Sequence, residues 1–293
     1  LRKNPVDVYH TQYITPLFVS RKIKVITHIH DVSFAVYPQY IKKSDLFFLR
    51  MLIPLSLRRA DKIIAVSDFT RTEIIRHYGI APEKVVRTYN ALDGAFQRVT
   101  NADLLETVRQ KYALPEQFIL YLGTMQPRKN LPALVRGFAK LTRRLPNIKL
   151  VLAGKRHGHN YDQQIDQALI ESGVESTVCF PGYIEETDKA AILSLATAFA
   201  FPSVYEGFGV PVLEAFATEI PVTVSDLPVF HEVAGQAALF FDSGVLDQIG
   251  EILYTICTDK IVRERLVLEG KSRLKVFSWE QSARELIQIY ESV

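Results

Sequence analysis

Residues 201–226 read FPSVYEGFGVPVLEAFATEIPVTVSD. An apolar strand pattern ends near Pro202, and a loop holding Glu206, Gly207 and Gly209 follows. Pro211 stands where a helix begins, since its missing N–H would find no partner in a first turn anyway. Leu213, Glu214, Ala215 and Phe216 continue that helix, and a short strand covers 222–224. The glycines let the backbone bend sharply and let a ligand come close. The N–H groups of Phe208, Gly209 and Val210 would point out of the helix N-terminus, where the dipole favours an anion. Glu206 lies beside that position, and Glu214 about one to two turns into the helix. Carboxylates accept hydrogen bonds from hydroxyls. A ligand with hydroxyls on both sides of a phosphate, such as a nucleotide sugar, fits this strand–loop–helix–strand unit. A solvated loop carboxylate and a helix-surface carboxylate fit the same residues equally well.

Outward from this stretch, strand and helix patterns alternate along the chain. On the N-terminal side, 6–10, 24–27, 62–66 and 85–88 read as short buried strands. Residues 44–59 and 68–78 read as helices, the second capped by Ser67 or Asp68. The turn-rich YNALDGAF closes a first domain, residues 1–96. A second domain, 97–275, repeats the pattern. Its strands are 117–122, 149–152, 177–180, 198–201 and 222–224. Its helices are 102–112, 130–143 with Asn130 as cap, 162–172, 187–195, 228–233, 247–257 and 259–275. A last helix covers 279–292. The alternation predicts an α/β chain of two Rossmann-like domains with parallel sheets. Ligands in such sheets bind beyond the carboxyl ends of the strands, and Gly123, Gly154, Gly182 and Gly207 all follow strands.

The 293 residues suit one large or two medium domains, and 48% hydrophobic residues supply an ample core. A net charge of +3 is too mild to argue for nucleic acid. Cys179 and Cys257 lie in apolar stretches, which argues against a structural disulfide and for a reducing, cytoplasmic setting. There is no secretory pattern and no apolar run long enough to span a membrane. Residues 41–62, IKKSDLFFLRMLIPLSLRRADK, read as a core helix with solvated ends, interrupted by Pro54. A basic amphipathic helix on an anionic membrane surface is the alternative.

YEGFGVPVLEA, with its Glu206-x7-Glu214 pair, resembles the signature of retaining glycosyltransferase family 4. So does LYLGTMQPRKNLPALVRGFAKL at 120–141, and the resemblance extends through HDVSF, AVSDFT and FSWEQSA to nearly the whole chain. Mannosyltransferase-type members are the most similar. The resemblance implies a GT-B fold: two Rossmann-like domains facing a central cleft, with the segment 276–293 returning to the N-terminal domain. It also implies further strands, helices and a glycine-rich loop ahead of Leu1, so the N-terminal domain is expected to be incomplete.

Site residues follow from both sources. Arg128 offers a planar fork of donors and Lys129 a compact ammonium, both suited to phosphate oxygens. An exposed basic pair on a solvent loop is the bland alternative. By resemblance the two hold the donor diphosphate. The loop Gly123–Thr124 belongs to the same contact, although some relatives carry Arg where this chain has Thr124, which predicts one phosphate contact that is weaker or supplied elsewhere. Resemblance also gives Glu206 the transferred sugar and Glu214 the ribose, and gives the Tyr183–Ile184 backbone the nucleobase edge. His30, rather than His28, matches the histidine that reaches donor sugar and phosphate. His10 is a weaker candidate.

Isolated aspartates such as Asp7, Asp31 and Asp45 form no paired metal motif, so transfer without a metal or other cofactor is expected. The donor is a GDP- or UDP-sugar, most readily GDP-mannose. The acceptor is a glycan or lipid-linked sugar, with peripheral contact to the inner face of the cell membrane left open and no nucleic acid. A nucleotide-sugar epimerase of the same architecture, or a nucleotide-binding module inactive as this chain, are the competing readings.

Overall fold

In the computed structural model, residues 6–16, 18–158 and 160–293 are described. The coil expected over residues 1–5 lies outside them. The chain divides into two units. The first takes residues up to Ala91, Glu206–Phe208 and Phe277–Val293, and the second takes Leu92–Tyr205 and Gly209–Val276. The division falls a little before the Phe96 boundary read from the sequence.

The first unit is built on four parallel strands: β1 (Val8–Gln12), β2 (Lys24–Ile29), β3 (Lys62–Ala65) and β4 (Val85–Arg87), paired in that order. Val25, Ile26, Ile63 and Ile64 are fully buried in the two central strands, as expected of a parallel sheet covered on both faces. The helices are α1 (Ser33–Val36), α2 (Lys43–Arg59) and α3 (Asp68–Tyr78). Ser67 caps α3 by accepting from the Thr70 N–H at 2.9 Å, and Gly79 ends it in a left-handed conformation.

The second unit contains α4 (Ala102–Lys111), β5 (Phe118–Leu122), α5 (Leu131–Thr142), β6 (Lys149–Ala153), α6 (Gln164–Ser172) and β7 (Val178–Gly182). These are followed by α7 (Lys189–Leu195), β8 (Ala198–Phe201), α8 (Val210–Ala217), β9 (Val222–Ser225), α9 (Pro228–Ala234), β10 (Ala238–Phe241), α10 (Leu246–Thr258) and α11 (Lys260–Leu274). Its six parallel strands run β10-β9-β8-β5-β6-β7. That is the doubly wound order, which starts in the middle and winds outward both ways. The order reverses between β5 and β8, so the loops leaving their carboxyl ends diverge and open a crevice there. The last helix, α12 (Trp279–Glu291), belongs to the first unit, where the Ser282 hydroxyl donates to the Tyr89 carbonyl at 2.7 Å.

The structure corrects several expectations. The first strand is shifted two residues along, to Val8–Gln12. β10 was not foreseen at all. Asn130 does precede α5, but in a left-handed conformation with no side-chain cap. Residues 41–62 do not read out as a core helix. α2 buries only Ile53, Ser56 and Leu57, while Phe47, Phe48, Met51 and Leu55 are exposed.

Candidate functional site

The crevice at the strand-order reversal holds a cavity of about 520 Å³, built entirely within the second unit. Each sheet strand on that side contributes the loop at its carboxyl end. Gly123 and Thr124 come from the loop after β5, Gly154 and Lys155 from the loop after β6, and Tyr183 and Ile184 from the loop after β7. Val210, Pro211 and Glu214 come from the first turns of α8. The expected residues Gly123, Thr124, Tyr183, Ile184, Val210 and Glu214 therefore line one cavity.

Glu214 is buried in α8, and burial raises its carboxyl above the usual range, with Lys189 acting against the rise. Lys189 Nζ stands 3.4 Å from Glu214 Oε1 and 2.9 Å from Glu186 Oε2. Burial alone would lower the Lys189 ammonium, but the two carboxylates outweigh it and raise it. The result is a carboxylate held dry, with one fixed cation partner and its remaining acceptor capacity facing the cavity.

Lys189, Lys155 and Tyr161 line the cavity without having been singled out in the sequence. Only Lys189 left a trace, as the Glu186-x-x-Lys189 pair that spans the 3-10 turn leading into α7, an i,i+3 spacing that suits an ion pair. The segment around Tyr183 is braced from α4. Tyr112 Oη accepts from the Glu185 N–H at 3.1 Å and donates to Asp188 at 2.8 Å, while Lys111 pairs with Asp188 at 2.6 Å.

Arg128 and Lys129 do not line this cavity, yet both reach the connection that leaves β8. They occupy a 3-10 turn, Pro127–Lys129, after β5. The Val204 N–H donates to the Arg128 carbonyl at 2.9 Å, and the Arg128 guanidinium donates to the Tyr205 carbonyl at 3.2 Å. Lys129 is 7% exposed, its ammonium 4.6 Å from the centroid of the Phe201 ring. A cation over an aromatic face is worth about 2 kcal/mol when desolvated. The two basic residues and the strand ending in Phe201 thus form one block of the second unit.

Glu206, Gly207 and Phe208 group with the first unit. The Gly207 carbonyl accepts from Ser67 Oγ at 2.6 Å and from Thr70 Oγ1 at 3.0 Å. A Cβ on Gly207 would lie 1.8 Å from the His30 carbonyl oxygen, so only glycine fits that approach. Phe208 packs edge-on against Phe277 at 5.4 Å and beside Tyr89 at 6.0 Å. Gly209 caps α8 with φ of 100°, a backbone conformation that side chains disfavour. Glu206 itself is buried.

His30 sits at one end of a column of three imidazoles in the first unit. The His28–His30 centroids are 4.7 Å apart and the His10–His28 centroids 5.8 Å, both stacked. His10 Nδ1 pairs with Tyr290 Oη at 2.7 Å. Burial lowers all three; His28 is pushed down to about 3, with its two neighbours adding to the fall. Asp31 opposes the fall at His30. The column is therefore neutral at pH 7. Its signal was in the sequence, since residues two apart on β2 share a face, but the diagonal contact from β1 was not.

Two parallel-sheet units, the second in doubly wound order with a ligand-sized crevice at its switch point, define an α/β protein of the GT-B type. Comparison with known proteins gives the family. The model of glycosyl transferases group 1 matches residues 106–273, and that of glycosyltransferase family 4 matches residues 1–96. O-antigen chain mannosyltransferase B of Escherichia coli is 34% identical over 274 residues, covering 92% of this chain and 70% of that protein. The serotype-specific mannosyltransferase WbdA of the same species is 29% identical over 235 residues, covering 78% of this chain and 28% of that one.

Among solved structures, Anabaena HepE in complex with UDP and glucose superposes with a TM-score of 0.78 at 20% identity, covering 93% of this chain and 72% of that one. Sucrose-phosphate synthase from Thermosynechococcus elongatus gives 0.77 at 20% identity, covering 98% and 73%. At such identities the likeness shows the fold, which is GT-B. The chain belongs to the group 1 glycosyltransferases, a family of transferase enzymes.

Proposed function

We propose that this chain moves a hexose, mannose from GDP-mannose, onto a hydroxyl of a glycan or lipid-linked sugar, with retention of configuration and without a metal. The observation that carries the reading is the switch-point cavity, where a buried carboxylate, Glu214, faces a space of about 520 Å³. A ribose with adjacent hydroxyls suits that carboxylate, and a flat base suits the loop at Tyr183 and Ile184. The choice of mannose is supported by the mannosyltransferase names of the sequence relatives.

The bond that breaks joins the sugar's anomeric carbon to the departing phosphate oxygen, and the bond that forms joins the same carbon to the acceptor oxygen on the same face. The acceptor's proton goes to the departing diphosphate. Arg128 and Lys129 are assigned to the charge that develops there on the strength of the family signature they match. Gly207, Phe208, Gly209 and Val210 are assigned to the diphosphate loop, and Glu206 and His30 to the transferred sugar, on the strength of the family signature they match.

Losing one fixed donor to a developing anion costs about 3 kcal/mol of barrier, or roughly a hundredfold or more in rate. Lys129→Ala should lower transfer from GDP-mannose to a mannan oligosaccharide by that factor. A variant that turns over near the parent rate sinks the assignment. For the donor, thermal shifts with GDP, UDP and their sugars separate the cases, because stabilisation grows with ligand concentration over Kd. Stabilisation by UDP-glucose but not by GDP-mannose would overturn the choice of mannose.

A further inference from the structure

We propose that Lys189 is a positioning residue of the donor site: its ammonium fixes the Glu214 carboxylate so that the second oxygen accepts from ribose hydroxyls. The inference rests on the assignment of Glu214 to the ribose. Lys189 Nζ stands 3.4 Å from Glu214 Oε1, and both residues line the cavity of about 520 Å³. Oε2 has no protein donor among the described residues, so its acceptor capacity is left for what enters the cavity.

Glu214 is only 7% exposed. A carboxylate so dry takes up a proton more readily than usual unless a cation stands beside it. Once protonated, it loses the charge that makes its bonds to hydroxyls about twice as strong as neutral ones. The surroundings supply one such cation. From α7 comes Lys189, and from the turn ahead of α7 comes Glu186, which works against it. From the loop after β6, Tyr161 donates to Asp166 at 3.0 Å, and Lys155 is exposed. α11 packs on α8 through Gly270 against Phe216, and its Lys271 pairs with Glu219 at 2.8 Å. β9 has no ionisable side chain, and His231 of α9 pairs with Asp226.

Lys189 is itself held. It opens α7, and its ammonium also pairs with Glu186 Oε2 at 2.9 Å. Lysine carries a flexible four-carbon stem, and a carboxylate on each side of the ammonium restrains it. The turn Glu186–Asp188 is fastened to α4 in turn, through Lys111 and Tyr112 on Asp188 at 2.6 Å and 2.8 Å. A plain structural ion pair would affect only how firmly α7 and α8 stay together. A positioning role also governs which nucleotides bind, and at what pH.

Calorimetric titration of the full chain between pH 8 and pH 5 tests this, with GDP, UDP and the 2′,3′-dideoxy form of each. The parent should bind the ribose form about tenfold more tightly than the dideoxy form. As pH falls, Lys189→Met should lose that preference about one pH unit or more before the parent does. Lys189→Arg keeps the charge and should follow the parent. A parent that binds neither GDP nor UDP overturns the donor reading and this inference with it. A parent that binds ribose and dideoxy forms equally removes Glu214 from the ribose. A parent that prefers ribose, with Lys189→Met keeping the preference as far into acid, overturns the role of Lys189 alone. So does a Lys189→Met variant that weakens both forms by one factor at every pH, or a Lys189→Arg variant that behaves as Lys189→Met does.

Discussion

Gly207 is the tightest backbone approach in the first unit. The His30 carbonyl carbon and Asp31 Cβ would both stand 2.9 Å from an added Cβ, and the His30 oxygen closer still. Backbone cannot swing aside as a flexible side chain does. Gly207→Ala should therefore cost at least about 1–3 kcal/mol, the usual price of overpacking. A melting temperature equal to the parent's would show that the loop relaxes freely. The histidine column makes a pH prediction. His28 has its folded-state pKa near 3 against an ordinary 6.5, and His10 and His30 are lowered too. Below pH 6.5 the unfolded chain therefore binds protons that the folded chain refuses. Stability is full above that pH and is lost as pH falls, by about 1.4 kcal/mol per pH unit for each imidazole inside its window. Glu214, raised by burial, works in the opposite direction near pH 4.5, so the difference between two proteins is the clean readout. His28→Asn should flatten the denaturant-midpoint curve between pH 7 and pH 4. Parallel curves for parent and variant would remove His28 from the account.

Most of the helices and strands were legible because their patterns are local. Short apolar runs such as FILYL and KLVLA, set between helical patterns, read as buried strands of a parallel sheet, and the serine ahead of α3 marks its start as clearly in sequence as in space. What failed had a non-local cause. β10, ALFF, is an edge strand with two half-buried residues, and only its pairing with β9 distinguishes it from a loop. α2 carries enough Phe, Leu and Met to look like core, and which face they occupy is decided by the sheet it lies on. Asn130 was placed correctly but for the wrong reason. Its φ of 51° and ψ of 39° make it a left-handed hinge between the turn at Pro127–Lys129 and α5, with no capping bond from its side chain. Asn tolerates that conformation and glycine prefers it, whereas Ala pays about 1 kcal/mol or more. Asn130→Gly should leave the melting temperature nearly unchanged and Asn130→Ala should lower it by several degrees; a reversed order would restore the side-chain cap.

The candidate site was readable where its residues are contiguous in sequence and hidden where they are not. Gly123 with Thr124, and Tyr183 with Ile184, are neighbours in one loop each, and Val210 and Glu214 share the first turns of α8. Lys155, Tyr161 and Lys189 come from separate elements, and only the strand order brings them to one crevice. The chain's two ends obey the same logic. α12 groups with the first unit, although most of the sequence separates that helix from β1–β4. Ile289 packs into a buried cluster with Ile26 of β2 and Ile64 of β3, and the half-buried Val8, Val86, Leu286, Tyr290 and Val293 pack against it. Without the helix, the central strands of this sheet would show one apolar face to water. Trimming Ile289 to Ala removes atoms that are nearly all out of water and leaves a cavity against two fully buried isoleucines, at a cost of about 2–5 kcal/mol. The loss should appear as faster amide exchange in β2 and β3, because those amides open only when the sheet loses its cover. Exchange in these strands at the parent rate would mean that α12 rests on the sheet without holding it.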